Sequence, residues 1–196
     1  MLDEMVRLTA ALARSGGASS DFDLNPGFAP LTQALRSAAV LVGIMADPNG
    51  ARVILTKRAS HLKHHPGQIA FPGGKQEIGD ITLEATALRE AFEEIGLAPS
   101  LVRTVGRLPA HETVTGFEMT PILAEVAHFT PIPDPNEVEE VFTVPLSHLL
   151  NASLYAVERR QWRGQWRAYY TIPFGPYYIW GATARILRGL AERVAA

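Results

Sequence analysis

The stretch that most constrains this chain runs from Gly73 to Leu97, where a glycine pair, a short turn and a densely acidic segment follow one another directly. Gly73-Gly74-Lys75 leads through Gly79-Asp80 into the run Thr82 to Glu94, and Ile95-Gly96-Leu97 closes it. Apolar residues at Leu88, Ala91 or Phe92, and Ile95 recur at helical spacing, with Asp80 or Thr82 as the N-cap and Gly96 as the stop. Such a helix places Glu90, Glu93 and Glu94 on its other face at i, i+3 and i+4, so their carboxylates converge on one patch. Oxygens gathered in this way suit a hard divalent ion such as Mg²⁺, which keeps several waters and joins protein carboxylates to substrate phosphates. The plain alternative is a solvated face on which Arg89 and Glu93 form an ordinary i, i+4 pair. Like charges on an exposed helix cost only about 0.2–0.5 kcal/mol a pair, so repulsion by itself demands no ion.

The order of Gly74, Arg89-Glu90, Glu93-Glu94 and Gly96-Leu97 resembles the signature of the Nudix hydrolases. That signature reads Gly, five residues, Glu, seven residues, Arg-Glu, a bulky aliphatic, any residue, Glu-Glu, any residue, Gly, and a bulky aliphatic. Two positions depart from it. Asp80 stands where the first Glu is expected, one residue further from Arg89 than the pattern has it, and Ala91 replaces the bulky aliphatic. The resemblance implies an α/β fold, a Nudix-type α/β/α sandwich with a mixed curved sheet, spanning roughly residues 38–190. It also implies that Glu90, Glu93 and Glu94, with the main chain at Gly74, hold one to three Mg²⁺ or Mn²⁺ ions, and that Gly73 and Gly74 let the backbone come close to them. Arg89 is expected to orient one of these carboxylates through an ion pair. Glu93, Glu94 or a glutamate of a later loop is expected to deprotonate the attacking water.

A second stretch, Leu55 to Gly74, carries Arg58, Lys63, three histidines at 61, 64 and 65, and the run Phe71-Pro72-Gly73-Gly74. Read alone it is a polar loop rich in His and Lys. The histidines do not make a zinc site, because no cysteine or second acidic cluster completes a tetrahedral set. The segment is similar to the motif that marks the coenzyme A pyrophosphatases within the Nudix family. Leu55, Thr56, Arg58, Ala59, Gly67, Phe71, Pro72, Gly73 and Gly74 match it, Ile54 replaces a Leu, and Lys63 replaces an Arg. Lys63 keeps the charge but loses the planar fork that grips phosphate bidentately. The resemblance implies cleavage of coenzyme A or its oxidised and acylated forms to adenosine 3′,5′-bisphosphate and a 4′-phosphopantetheine species. Arg58, Lys63, Gly67, Phe71 and Gly73 are then the expected substrate contacts.

Composition bounds the rest. With 196 residues, 47% hydrophobic and 19% charged, the chain suits a single core that needs no staples. A net charge of −2 offers no broad basic field, so nucleic acid is not an expected partner. Zero cysteines exclude disulfides and thiol catalysis. The sequence around Met1 to Arg7 has early acids and no long apolar run, so neither a leader nor a membrane anchor is expected, and the cytoplasm is the default location.

In chain order, residues 1–37 read as an N-terminal helix from Leu2 to Arg14 with an irregular arm behind it. A further turn of helix is expected around Leu31 to Leu35. This part is free to serve as a lead-in or as a contact in a homodimer. Residues 38–196 read as the catalytic domain. Strands are expected at Ala38 to Ala46, Arg52 to Arg58, Pro99 to Leu108, Met119 to Val126 and Glu137 to Val144, with a short helix at Leu146 to Leu150. His111, Glu112 and Thr115 lie on a loop able to reach the site, and Glu137 and Glu140 are candidates for a further carboxylate near the ions. Tyr155 to Trp162 and Gln165 to Ile172 form a hairpin that bears Arg159, Arg160, Arg163 and Arg167 with Trp162 and Trp166. An RNA-binding role would use such a surface, whereas a solvated edge needs no partner. The last helix, Gly181 to Val194, follows Ile179-Trp180-Gly181, which is also similar to the closing segment of the coenzyme A group.

Overall fold

The computed structural model describes residues 2–14, 16–28, 34–162 and 164–196. The expected turn of helix around Leu31 lies largely outside the described residues, as does Arg163. The elements are α1 (Leu2–Leu12), β1 (Ser19–Ser20), β2 (Arg36–Met45), β3 (Arg52–Arg58), β4 (Ile69–Ala70), β5 (Gly73–Lys75), α2 (Leu83–Ile95), β6 (Val102–Arg107), β7 (His111–Glu112), β8 (Phe117–Val126), β9 (Val138–Pro145), α3 (Leu146–Leu149), β10 (Ala156–Trp162), β11 (Gln165–Thr171) and α4 (Gly181–Ala195).

The near-continuous apolar run of β2 is buried on both faces, as a central strand requires. It lies parallel to β8 from Arg36 opposite Phe117 to Met45 opposite Val126, and antiparallel to β3 and β5. Pairings of β9 and β4 with β3, of β6 and β7 with β8, and of β1 with β7 complete one mixed sheet. The second sheet is the hairpin β10–β11. Two hydrophobic clusters cover the large sheet. Ala87, Ala91 and Ile95 of α2 pack with Leu41, Ile54 and Ile122 on one side, and residues of α1, α3 and α4 pack with Val42, Val53 and Leu123 on the other. Helices on both faces of a mixed sheet make the expected α/β/α sandwich.

The N-terminal part is built into this architecture. Met5, Leu8 and Ala11 are buried in the same cluster as Leu187, Leu190 and Val194 of α4. The arm behind α1 adds β1 to the sheet edge through Ser19 and His111. Asn25 then reaches the hairpin, donating to the carbonyl of Ala168 at 2.9 Å and accepting from its N–H at 2.8 Å.

Of the two apolar choices on α2, Ala91 is the buried one: Phe92 stands 55% exposed, because the face that meets the sheet is the line Ala87, Ala91, Ile95, whose small residues let the helix lie close. One local reading needs correction. His111, read as a loop residue within reach of the site, is fully buried: its ring meets the Ser19 hydroxyl at 2.9 Å and the Asp21 carboxylate at 3.3 Å and ties the arm down.

Candidate active site

The acidic helix starts and stops where its caps say it should. Thr82 Oγ1 accepts from the N–H of Ala85 at 3.1 Å, and Gly96 takes the left-handed conformation (φ 68°), its N–H bonded to the carbonyl of Phe92. The free carbonyls of the last turn are taken by the following connector: Asp134 N–H donates to the Glu94 carbonyl and Ile132 N–H to that of Ile95, both at 2.9 Å. These bonds draw the connector against the end of α2. Glu137 follows directly, its carbonyl accepting from the N–H of Ala59, next to Arg58.

Glu94 is the centre of the site. Its side chain is 5% exposed, with Oε2 accepting from the N–H of Gly73 at 3.0 Å and Oε1 lying 4.0 Å from Arg58 Nη1. Burial pushes its carboxyl up to about 8; the Gly73 N–H and Arg58 oppose the rise, and the charges of Glu90 and Glu137 add to it. Glu90 is raised for the same reasons, burial first, with Glu93 and Glu137 contributing, although Arg89 Nη2 sits 3.0 Å from its Oε1. The glycines make room for this packing. A Cβ on Gly74 would fall 2.6 Å from the Glu90 carboxylate carbon, and one on Gly73 (φ 151°) would fall 2.4 Å from the Ala39 carbonyl oxygen.

Arg89 gathers the remaining acids. It forms a double bond-pair with Asp80, Nε to Oδ1 at 3.0 Å and Nη2 to Oδ2 at 2.9 Å, and it also donates to Glu93 Oε2 at 2.8 Å and to the Lys75 carbonyl at 3.2 Å. The guanidinium holds Asp80 well below the usual carboxylate range. Asp80 therefore anchors Arg89, which is a reason for an acid at the first acidic position that does not involve an ion.

The three helix glutamates do not converge as the spacing alone suggests. Glu90 and Glu94 turn inward towards the glycine strand, whereas the Glu93 side chain is 55% exposed and held by Arg89. Among the described residues, no three acids or histidines are already gathered around a single point. The donor set still fits a divalent cation: Glu90 and Glu94 are both raised, by burial first and then by the charges of neighbouring glutamates, Glu137 among them, so the pocket carries surplus negative charge. Of the two later-loop candidates, Glu137 lies at this pocket, while Glu140 accepts from the Tyr177 hydroxyl at 2.5 Å. Spacing along α2 could not find Glu137; the sequence signal was its place at the head of a strand after a proline-rich connector.

The residues expected to contact substrate divide into two groups. Arg58 is at the end of β3 beside Glu94, and Lys63 is exposed on the following loop with no carboxylate among the described residues paired to it. Gly67 (φ 68°) turns that loop back, its N–H donating to the Arg58 carbonyl at 3.1 Å. Phe71 is a correction: its ring is 3% exposed and belongs to the core, so its part is to fix the backbone ahead of Gly73. Gly73 likewise acts through its N–H on Glu94.

Comparison with known proteins agrees with this geometry. Residues 35–165 match the NUDIX domain. The chain is 40% identical over 162 residues to a protein of Enterobacter sp. strain 638 described as an uncharacterized Nudix hydrolase NudL, covering 81% of this chain and 83% of that one. It is 38% identical over 172 residues to the protein of the same description from Salmonella dublin, covering 87% and 89%. Among solved structures, the Nudix hydrolase RenU of M. smegmatis superposes with a TM-score of 0.50 at 23% identity, over 59% of this chain and 74% of that one. A MutT/nudix family protein of Enterococcus faecalis gives the same TM-score at 15% identity, over 86% and 65%. At such identities the structures speak for the fold alone, and the sequence relatives carry the family. With the signature helix, the glycine strand and these relatives in agreement, the chain belongs to the Nudix hydrolase family.

Proposed function

We propose that this Nudix hydrolase cleaves the diphosphate of coenzyme A and its derivatives, giving adenosine 3′,5′-bisphosphate and a 4′-phosphopantetheine species, with Mg²⁺ or Mn²⁺ as its ion. The observation that carries the reading is the meeting of two stretches at one carboxylate: Arg58 stands 4.0 Å from Glu94 Oε1, and Gly73, at the end of the same loop, donates to Oε2. The loop between them carries Lys63 and three histidines, groups that suit a substrate with more phosphate than a plain diphosphate.

Glu90 and Glu94, assisted by Glu93 and the main chain at Gly74, are the groups that would hold the ion. Bound there, it neutralises charge that gathers on the diphosphate oxygens as the bond breaks. Arg89 positions Glu90 and Glu93 and is itself fixed by Asp80. Arg58 and Lys63 draw the diphosphate in. Glu137 is exposed, without an ion pair among the described residues, and close to both inward glutamates, so its carboxylate is the one free to take the proton of the attacking water.

The test is a hydrolysis panel at fixed Mg²⁺ containing free coenzyme A, acyl forms, NADH and ADP-ribose, with products resolved. Coenzyme A and its acyl forms should be turned over fastest, with adenosine 3′,5′-bisphosphate as product. A clear preference for NADH or ADP-ribose would move the reading to another nucleoside diphosphate derivative.

A further inference from the structure

A cavity of about 280 Å³ lies on the side of the sheet away from α2, where the end of α1, the arm and α4 meet. That volume is near the small end of the range for ligand pockets, about 300–1,000 Å³. The floor is apolar, because Leu108, Ile186 and Leu190 line it and all three belong to the core. The rim is cationic. Among the described residues, Arg14, Arg185 and Arg193 line it against a single acidic side chain, Glu192. Arg185 is paired with Asp23 at 3.0 Å, and Glu192 is paired with Arg188 at 2.8 Å. Arg14 and Arg193 have no carboxylate partner among the described residues, and main-chain carbonyls hold them instead. Arg193 donates to the carbonyls of Arg14 at 2.6 Å and Gly16 at 2.8 Å, and Arg14 donates back to the carbonyl of Arg193. Gly16 lets the Arg193 guanidinium cross the arm, since a Cβ there would fall 2.4 Å from its Nη2. Carbonyl oxygens orient a guanidinium without cancelling its charge, and each guanidinium keeps N–H donors to spare. Two fixed cations therefore stand beside an apolar hollow, an arrangement that concentrates positive potential there.

We infer that this cavity binds a small amphipathic carboxylate, with its head group between Arg14 and Arg193 and its apolar chain on Leu108, Ile186 and Leu190. A planar carboxylate matches the fork of a guanidinium, and Glu192 beside the rim favours a singly charged head group over a doubly charged one. The inference is independent of the proposed function. The cavity floor belongs to the cluster under α1 and α4, whereas α2, which carries Glu94, packs on the other face of the sheet. A ligand held there ties the start of the arm to α4, segments from opposite ends of the chain, and stabilises the folded state by mass action.

The experiment uses octanoate as the probe, octanamide as its uncharged counterpart, and inorganic phosphate as an anion without a chain. Binding is measured by calorimetry, and the unfolding temperature is read with and without each probe, for the wild type, Arg14→Gln and Gly189→Leu. Gly189 is on the cavity wall in α4, where a Cβ would stand an unstrained 3.5 Å from Arg185 Nη1, so a leucine has room to enter the hollow and replaces a residue unfavourable in a helix. The wild type should bind octanoate with a Kd at or below about 1 mM and unfold at a higher temperature in its presence. Octanamide should bind about tenfold more weakly, as loss of a charge-assisted hydrogen bond implies, and inorganic phosphate more weakly than octanoate. Arg14→Gln should weaken octanoate about tenfold and leave octanamide unchanged, while Gly189→Leu should weaken both. Each variant is compared with its own probe-free unfolding temperature, so that lost stability does not imitate lost binding. No octanoate binding by the wild type, equal affinity for octanoate and octanamide, or octanoate binding unchanged in both variants would overturn the site. Phosphate binding as tight as that of octanoate would overturn it as well, since the apolar floor would then contribute nothing.

Discussion

At the scale of single residues, Glu94 decides the behaviour of the site. Its folded carboxyl titrates near 8 against an ordinary 4.5. Below the lower value both folded and unfolded chains keep the proton. Between the two, the unfolded chain releases it and the buried carboxyl does not, so stability of the metal-free protein falls as pH rises through this window. Thermal unfolding in chelator at pH 5 and pH 8.5 should show that fall, and Glu94→Gln should largely remove it. Gly74 is constrained from the opposite direction. The methyl of Gly74→Ala would meet the Glu90 carboxylate at 2.6 Å and displace it, while the backbone of β5 has no positive φ there to lose. Turnover should drop about 100-fold, the scale expected for a catalytic group moved by an ångström, with little change in the far-ultraviolet spectrum.

At the scale of elements, α2 is a helix whose ends were legible and whose faces were only partly so. Gly96 marked the stop, and Thr82 and Asp80 were the two N-cap choices. Thr82 takes the cap, and Asp80 is drawn off by Arg89. Thr82→Ala should destabilise the protein by about 1 kcal/mol in denaturant unfolding, the usual cost of a lost cap. The split of the glutamates into two inward and one outward could not be read from spacing. It depends on Arg89, whose partners come from the preceding turn, and on the glycine strand that closes over Glu90 and Glu94. Phe71 was misread, and Ala91 and Phe92 stayed open as alternatives, for a related reason: a motif position or a helical period does not say which side the sheet will occupy. His111 was obscure because its partners, Ser19 and Asp21, belong to an arm with no periodicity of its own.

At the scale of the whole molecule, the arm and the hairpin are coupled to the sandwich. The arm runs from α1 against α4, through β1 at the sheet edge, to Asn25 on the hairpin; Arg167 of the hairpin lies over Phe22 and Phe28 of the arm, with centroid distances of 5.4 Å and 4.8 Å. Leu8 is fully buried in the principal core cluster, so Leu8→Ala should cost about 2–5 kcal/mol, measured by urea unfolding, as large-to-small changes in a packed core do. The sandwich itself was legible through the resemblance carried by Gly74 to Leu97, while the apolar runs of β2, β3, β8 and β9 marked strands but not their order in the sheet. The way in which the ends wrap it depends on side-chain contacts between segments that are distant in sequence. The claim on which all else depends is that the buried carboxylates of α2 carry out ion-dependent cleavage of a diphosphate. The most direct measurement is kcat for coenzyme A hydrolysis as Mg²⁺ is raised to saturation, for the wild type and for Glu94→Gln. The account predicts saturable Mg²⁺ dependence in the wild type and a fall of at least about 1,000-fold in the variant, in line with loss of a transition-state charge partner. Equal rates for the two proteins at saturating Mg²⁺ would contradict it.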